Sequence, residues 1–129
     1  MVLLDTHVLL WLLGDSENLS PAAIAALDEQ DRCVSIASLW EIAIKKSLAD
    51  PKRRLYLDMS ITDIAEECNR QGIRLIMLSP NDCERVGQLP HLHEDPFDRI
   101  IIAQALERNL SLITRDERIW RYDCIGTIW

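Results

Sequence analysis

Short apolar runs alternate along the chain with longer segments in which apolar residues recur every three or four positions. The short runs are rich in Val, Ile and Leu and are bounded by polar residues, which is typical of buried strands. They lie at residues 2–4, 33–36, 74–78, 110–114 and 125–128. The longer segments have helical spacing, and two begin with a serine cap followed by proline. We expect helices over residues 6–13, 21–29, 38–48, 62–71, 80–88 and 99–108.

This alternation of strands and helices predicts the fold class. Short strands that are apolar throughout are typical of a parallel sheet with both faces covered, and each crossover between parallel strands needs a helix. No repeat, low-complexity tract or linker divides the chain. The sequence therefore predicts one α/β domain over residues 1–129, with a mostly parallel central sheet of four to five strands and helices on both faces.

Composition narrows the class of protein. Of the 129 residues, 48% are hydrophobic and 27% charged, which excludes a disordered chain. The formal net charge of −7 argues against nucleic-acid binding by bulk electrostatics, but not against an enzyme that grips phosphates through a metal ion. The four cysteines are scattered singly, which favours reduced thiols. With no export signal and no long apolar run, we expect a cytoplasmic protein that makes no membrane contact.

Four carboxylates are placed where an open parallel sheet binds its ligands. Asp5 follows the first strand, Glu41 comes soon after the second, and Asp116 follows the strand at 110–114. Asp98 begins the helix that leads into that strand. Because the carboxyl ends of parallel strands share one edge, we expect the four side chains to converge there. Hard oxygen ligands of this kind suit Mg²⁺ or Mn²⁺, which activate water for attack on a phosphodiester.

Each carboxylate also has a structural interpretation as a helix-start residue. Ser38 and Glu41 have the spacing of a capping box, and Asp5 and Asp116 could each cap a short helix. Asp95 before proline looks like a cap, and Asp98 would then be a first-turn acid favoured by the helix dipole. Four such charges at one edge would repel each other without a cation. Their joint placement therefore favours a metal site, with Asp95 as a helix cap and a ligand role for Asp95 as the alternative.

Several segments of the chain carry a family resemblance. They form four blocks: LDTHVLLW at 4–11, SLWEIAIK at 38–45, DPFDR at 95–99 together with IAQA at 102–105, and TRD at 114–116. In this order and spacing the chain resembles PIN-domain proteins, and among them the VapC-type toxins of toxin–antitoxin pairs. The resemblance spans nearly the whole chain, and four blocks in register are far more specific than any single one.

The resemblance implies a fold, a chemistry and partners. It implies a PIN-like domain that acts as a metal-dependent endoribonuclease, hydrolysing RNA with a metal-activated water, and that a cognate antitoxin silences. By position, Asp5, Glu41, Asp98 and Asp116 look like the acidic residues that bind Mg²⁺ or Mn²⁺. Thr114 matches a small hydroxyl residue that orients a water or a carboxylate. Self-association as a homodimer is a further implication of the family.

Basic residues offer candidate contacts to RNA phosphates. The stretch from residue 45 to 54 holds five bases and one acid, and two further arginines sit beside candidate ligands. The candidates are Lys45, Lys46, Lys52, Arg53, Arg54, Arg99 and Arg115. The structural alternative is a solvated helix end for the cluster and charge-shielding ion pairs for Arg99 and Arg115.

Histidine and tryptophan residues near the acids have mainly structural interpretations. His91 and His93 have a spacing that could bind a transition metal, but a short polar loop with no cysteine nearby favours solvated side chains. His7 we expect to be structural or to act behind the acids. Trp11 and Trp40 we expect to pack, although exposed apolar surface there would form a groove for an antitoxin helix.

Other function classes fit the residues less well. A regulatory Mg²⁺-binding α/β domain needs a pair of adjacent acids at the first strand and a lysine after the last one, and both are missing. A phosphatase of the DxD type needs a second aspartate where this chain has His7. A catalytically silent binding or scaffolding module with the same fold stays open, because only an assay separates it from a nuclease.

Overall fold

Five parallel strands form one sheet at the centre of the computed structural model, which describes all residues from Met1 to Trp129. The strands are β1 (Val2–Leu4), β2 (Arg32–Ser35), β3 (Ile73–Ile76), β4 (Ser111–Ile113) and β5 (Thr127–Ile128). Their order across the sheet is β3-β2-β1-β4-β5, and every neighbouring pair is parallel. Since β1 is central, its carboxyl end lies between those of β2 and β4.

Seven helices connect and cover the strands. They are α1 (Thr6–Leu13), α2 (Pro21–Glu29), α3 (Ile36–Lys46), α4 (Ile61–Arg70), α5 (Pro80–Gln88), α6 (Pro96–Glu107) and α7 (Glu117–Trp120). Side chains cap each start: Ser20 accepts from the Ala23 amide, and Ser60 and Ser79 form capping boxes with aspartates three residues on. No helix is both long enough and apolar enough to cross a bilayer.

Both faces of the sheet are buried, by different helices. Alternate strand residues such as Leu4, Val34 and Ile113 pack against α1 to α4, whereas Leu3 and Leu112 pack against α5 to α7. All five of these side chains are fully buried. Burial on both sides explains why the strands read as continuous apolar runs rather than alternating ones.

The predicted fold class is confirmed, and the predicted elements are found with shifted boundaries. The helix predicted from residue 38 begins at Ile36, because Ser35 is its cap and accepts a hydrogen bond from the Ala37 amide. The helix predicted from residue 99 begins at Pro96, because Asp95 caps it. An apolar run by itself does not mark where a strand becomes a helix, so the caps decide. Gly72, which follows the end of α4, adopts a left-handed φ of 70°, a conformation typical of a helix stop.

Candidate active site

Asp5 lies at the carboxyl end of the central strand and has a structural role there. It is the cap of α1, and its Oδ1 accepts a 2.8 Å hydrogen bond from the Val8 amide. The residue is only 5% exposed. Burial raises the pKa of its carboxyl, although the Thr114 hydroxyl and the Val8 amide oppose this shift. The capping interpretation is therefore right for Asp5, and it holds the carboxylate at the sheet edge.

Glu41 reaches the same region from the second turn of α3. It is buried, the Thr6 hydroxyl donates to its Oε2, and Lys45 Nζ lies 2.6 Å from its Oε1. The alternative capping box with Ser38 is wrong, because α3 begins two residues earlier and Ser38 lies inside it. The Ser38 hydroxyl is buried without a hydrogen-bond partner.

Asp98 is the third residue of α6 and meets negative charge on several sides. Asp95 caps the helix as expected, since its Oδ1 accepts from the Phe97 and Asp98 amides at 2.8 and 3.2 Å. Burial first, and then the charges of Asp95, Glu41, Asp5 and Asp116, raise the pKa of the Asp98 carboxyl to about 7. Crowding of carboxylates without a compensating cation is the electrostatic signature expected of an ion-binding site.

Asp116 lies in the turn after β4 and is held in its charged form. It caps α7, and Arg118 reaches its two oxygens at 3.1 and 3.0 Å. Burial alone would raise the pKa of Asp116, but hydrogen bonds from Arg118 and His93 outweigh it and hold the pKa at about 2. Arg118 was missed in the sequence, where the only signal was its position two residues after a capping acid.

His93 stands between these two aspartates. Its Nε2 lies 2.9 Å from Asp116 Oδ2 and 3.1 Å from Asp98 Oδ2, and the three groups offer ligand atoms within 4.8 Å of one another. The expectation of a solvated His93 is wrong, since the residue is 2% exposed. The loop folds inward because the His93 amide donates to the buried Tyr122 hydroxyl, a contact across 29 residues that local sequence does not reveal.

Thr114 ties the acids together. It is fully buried, and its Oγ1 accepts a 3.1 Å hydrogen bond from the Asp116 amide while the same side chain hydrogen-bonds to Asp5. The residue therefore contacts a carboxylate rather than standing apart from the acids. Thr114 links the turn after β4 to the carboxyl end of β1.

The candidate RNA contacts divide into two groups. Lys45 pairs with Glu41, Lys46 donates to the Met59 carbonyl, and Arg54 donates to the carbonyls of its own loop. The side chains that stay exposed with no recorded polar contact are those of Lys52, Arg53 and Arg115.

Arg99 does not belong with the RNA contacts, and its expected role is corrected. It is 8% exposed, and its guanidinium donates to four backbone carbonyls, those of Val86, Leu89, Pro90 and His93. The side chain therefore holds the loop before α6 from inside the protein. It neither reaches solvent to meet a phosphate nor pairs with an acid.

Trp40 departs from its expected packing. It is 60% exposed and lies edge-on to Phe97 with ring centroids 5.1 Å apart. The two rings border an apolar groove of about 310 Å³ between α3, α5 and α6. The groove is lined by Ala37, Trp40, Leu78, Cys83, Val86, Pro96, Phe97 and Ile100. Trp11 does pack as expected, against Trp129, while His7 is exposed beside it.

The donor set fits a hard divalent ion. Carboxylate oxygens predominate and come from four different elements. No Lys or Arg pairs with Asp98, and burial together with the charges of the neighbouring acids raises its pKa. Asp98 and Asp116 form the tight group with His93. Asp5 and Glu41 stand outside that group but near enough to raise the pKa of Asp98.

Comparisons with known proteins show the family of the chain. The PIN domain family model matches residues 2–123. The chain is 30% identical over 132 residues to ribonuclease VapC22 of Mycobacterium tuberculosis, covering 99% of this chain and 98% of that protein.

Solved structures of VapBC and FitAB complexes share the fold. VapBC2 from Rickettsia felis, bound to a DNA fragment from its promoter, matches with a TM-score of 0.68 at 14% identity, covering 98% of this chain and 97% of the other. DNA-bound VapBC from Salmonella typhimurium matches with 0.66 at 17% identity over the same shares. FitAcB from Neisseria gonorrhoeae matches with 0.64 at 20% identity, covering 98% and 96%. The chain is a member of the PIN-domain family.

Proposed function

We propose that this chain is a metal-dependent endoribonuclease and the toxin of a toxin–antitoxin pair. Family membership and the likeness to a ribonuclease along almost the full length of both chains support the activity. The observation that carries the proposal is the convergence of Asp98 and Asp116 at the carboxyl edge of the sheet, where burial and then the charges of nearby carboxylates raise the pKa of Asp98 to about 7.

The ligands of the ion would be Asp5, Glu41, Asp98 and Asp116. Mg²⁺ or Mn²⁺ suits this oxygen-rich set, and when bound it would supply the activated water and offset charge on the leaving oxygen. The protein itself holds the carboxylates in place through Thr6 on Glu41 and Thr114 between Asp5 and Asp116. Asp98 would bind the ion as a carboxylate, so a cation and a proton would compete for this side chain.

Basic side chains around the acids would contact the RNA backbone. Lys45 and Arg118 reach two of the carboxylates and are themselves partly exposed, so a phosphate at the site would lie within their field. Lys52, Arg53, Arg54 and Arg115 would extend this contact along a single strand. These basic side chains would attract RNA phosphates locally, although the whole chain has a net charge of −7.

The partner proposed for this chain is a cognate antitoxin, since the structural neighbours include VapBC and FitAB complexes. Exposed apolar surface around Trp40 and Phe97, beside Asp98, is the kind of surface that an apolar segment of a protein covers. A cytoplasmic location and a homodimer remain predictions, and gel filtration with light scattering tests the second.

Cleavage of a mixed pool of structured RNAs tests the activity. The purified full chain, freed of any partner, would be assayed with Mg²⁺, with Mn²⁺ and with EDTA. We expect cutting that needs the ion and that Asp98→Asn abolishes, while Asp28→Asn, an exposed aspartate on α2, leaves it intact. Cutting that persists in EDTA would contradict the proposal. An ion-binding protein that cuts no RNA would instead be a silent binding module.

A further inference from the structure

The imidazole of His93 is held by hydrogen bonds at both of its nitrogens. Nδ1 accepts a 3.1 Å hydrogen bond from the Asp95 amide, and Nε2 faces Asp116 Oδ2 at 2.9 Å and Asp98 Oδ2 at 3.1 Å. The side chain has no solvent exposure. No water competes for either nitrogen, so the protein's own groups fix the ring.

The partner at Nδ1 determines the tautomer. A backbone amide only donates, so Nδ1 must use its lone pair and carries no proton. The ring proton therefore sits on Nε2, which points at the two carboxylates as a donor. A nitrogen that carries a proton has no lone pair for a metal ion. Although His93 lies in the tightest group of ligand atoms, this hydrogen bonding makes it a donor to the ligands rather than one of them.

The backbone of His93 is anchored as firmly as its ring. Its amide donates to the Tyr122 hydroxyl at 3.1 Å, and its carbonyl accepts from Arg99 Nη1 at 3.2 Å. The Tyr122 hydroxyl in turn donates to the Pro90 carbonyl at 2.9 Å. These buried contacts explain why Arg99 points inward. They place the ring in one position relative to both α6 and the turn after β4.

We propose that His93 is a positioning residue whose Nε2–H bridges Asp98 and Asp116 and sets the spacing of these two ligands. Asp98 comes from α6 and Asp116 from the turn after β4, and the two have no direct hydrogen bond between them. His93 Nε2 hydrogen-bonds to Asp116 and lies 3.1 Å from Asp98 Oδ2, so one side chain contacts both elements. This inference rests on the proposed metal site, and it assigns to His93 a role behind the ligands, where partners of this kind orient metal-binding groups.

Nitrogen-15 NMR of the wild-type full chain tests the tautomer directly. With labelled histidine, and with His93→Gln used to assign the signal, we expect the proton on Nε2 and none on Nδ1. The same pattern should persist after Mg²⁺ is added. A proton found on Nδ1, or loss of the Nε2 proton on adding Mg²⁺, would overturn the proposal and make His93 a ligand.

Mn²⁺ affinity measured by calorimetry tests the positioning role. His93→Leu keeps the bulk of the ring but has no donor, and we expect Mn²⁺ to bind about 10- to 100-fold more weakly. His93→Gln places an amide N–H near Nε2 and should restore most of the affinity. His91→Leu, an exposed histidine in the same loop, is the matched control and should bind as the wild type does.

Two results would contradict the positioning role. Unchanged affinity in a folded His93→Leu variant would show that the bridge does not matter. A Gln variant as weak as the Leu variant would show that more than a donor is required. If His93→Leu fails to fold, the wild-type NMR result still decides. Wild-type protein that binds Mn²⁺ but cuts no RNA would refute the proposed nuclease and leave the role of His93 standing.

Discussion

Two aspartates with the same local sequence setting have opposite electrostatics. Asp82 follows Ser79-Pro80 and Asp98 follows Asp95-Pro96, so each is the third residue of a helix that begins with proline. Asp82 is fully buried beside the Arg108 guanidinium, which contacts its two oxygens at 2.5 and 3.0 Å. Burial would raise its pKa, but Arg108 and Ser79 outweigh burial and hold the pKa at about 2. At Asp98, burial and then the charges of the neighbouring acids raise the pKa to about 7.

The difference distinguishes an aspartate that stabilises the fold from one that belongs to the candidate active site. At Asp82 the charge is matched by a cation that the chain itself supplies, so the group stabilises the junction of α5 and α6. At Asp98 the neighbours are mostly carboxylates, so the folded protein leaves a deficit of positive charge. A buried charge without a counter-ion lowers the free energy of unfolding. Such charges are typical of sites that bind a ligand of opposite charge.

Neutralising each aspartate should give the largest contrast. We expect Asp98→Asn to reduce RNA cleavage by at least about 100-fold, since loss of even an indirect partner of a metal ligand costs 10- to 100-fold. The same change should raise the melting temperature of the metal-free protein, because it removes repulsion. Asp82→Asn should lower the melting temperature and leave the folded enzyme active. Initial rates of RNA cleavage with Mg²⁺ and thermal melts in EDTA make the two measurements. An inactive but stable Asp82→Asn protein would contradict the comparison.

Removing the arginine that pairs with an aspartate should have the next largest effect, and the effect should differ between Asp82 and Asp116. Arg108→Ala leaves a buried charge on Asp82 and should cost up to about 3 kcal/mol in the free energy of unfolding, the low end for broken buried pairs because Arg108 is 30% exposed. Arg118→Ala removes an exposed partner of Asp116 and should barely change stability. Urea unfolding of the two variants makes the measurement. Equal losses would show that both arginines are structural.

The stability of the two sites should respond to pH in opposite directions. The folded pKa of Asp98 is raised from 3.8 to about 7, so the unfolded chain gives up this proton more readily, and metal-free protein loses stability as pH rises from about 4 to 7. The folded pKa of Asp82 is lowered to about 2, so its contribution is lost as pH falls from about 4 to 2. Melting temperatures in EDTA across this range, with Asp98→Asn as control, test both slopes. Added Mg²⁺ should abolish the loss at the upper end.

The exposed bases should give the smallest effect. Replacing Lys52, Arg53 and Arg54 together by alanine should weaken RNA binding and reduce the salt dependence, by up to about 0.7 in the log–log slope for each lost phosphate contact. Arg74→Ala, an exposed arginine on β3, serves as the control. Binding titrations at several salt concentrations give the slope. An unchanged slope would assign the cluster to solvated surface alone.

Local signals in the sequence predicted much of the fold. The start of α2 was readable from Ser20-Pro21 and that of α5 from Ser79-Pro80, because a cap and its helix lie within four residues of each other. The five strands were readable as apolar runs because both faces of the sheet are covered. The strand-to-helix boundary at Ser35 was misplaced, since apolarity continues across it.

Contacts between distant residues were not readable. His93 reads as a solvated loop residue until Tyr122, 29 residues later, is found to hold it inside. Arg99 reads as a candidate phosphate contact until four backbone carbonyls are found around it. Glu41 reads as part of a capping box until α3 is seen to begin at Ile36. For His93 and Arg99 the deciding partners lie outside the window that sets local conformation, whereas for Glu41 the nearby cap at Ser35 decides.

The sequence by itself determined the elements, their caps and the order of the four acids along the chain, because periodicity and capping act over a few residues. Only the tertiary structure decided which of the two aspartates pairs with an arginine and which does not. Asp82 and Asp98 share a local pattern, and their pKa values differ because Coulomb energies and burial depend on distances in space. The packing of α6 against the sheet edge therefore decides where the proposed ion site lies.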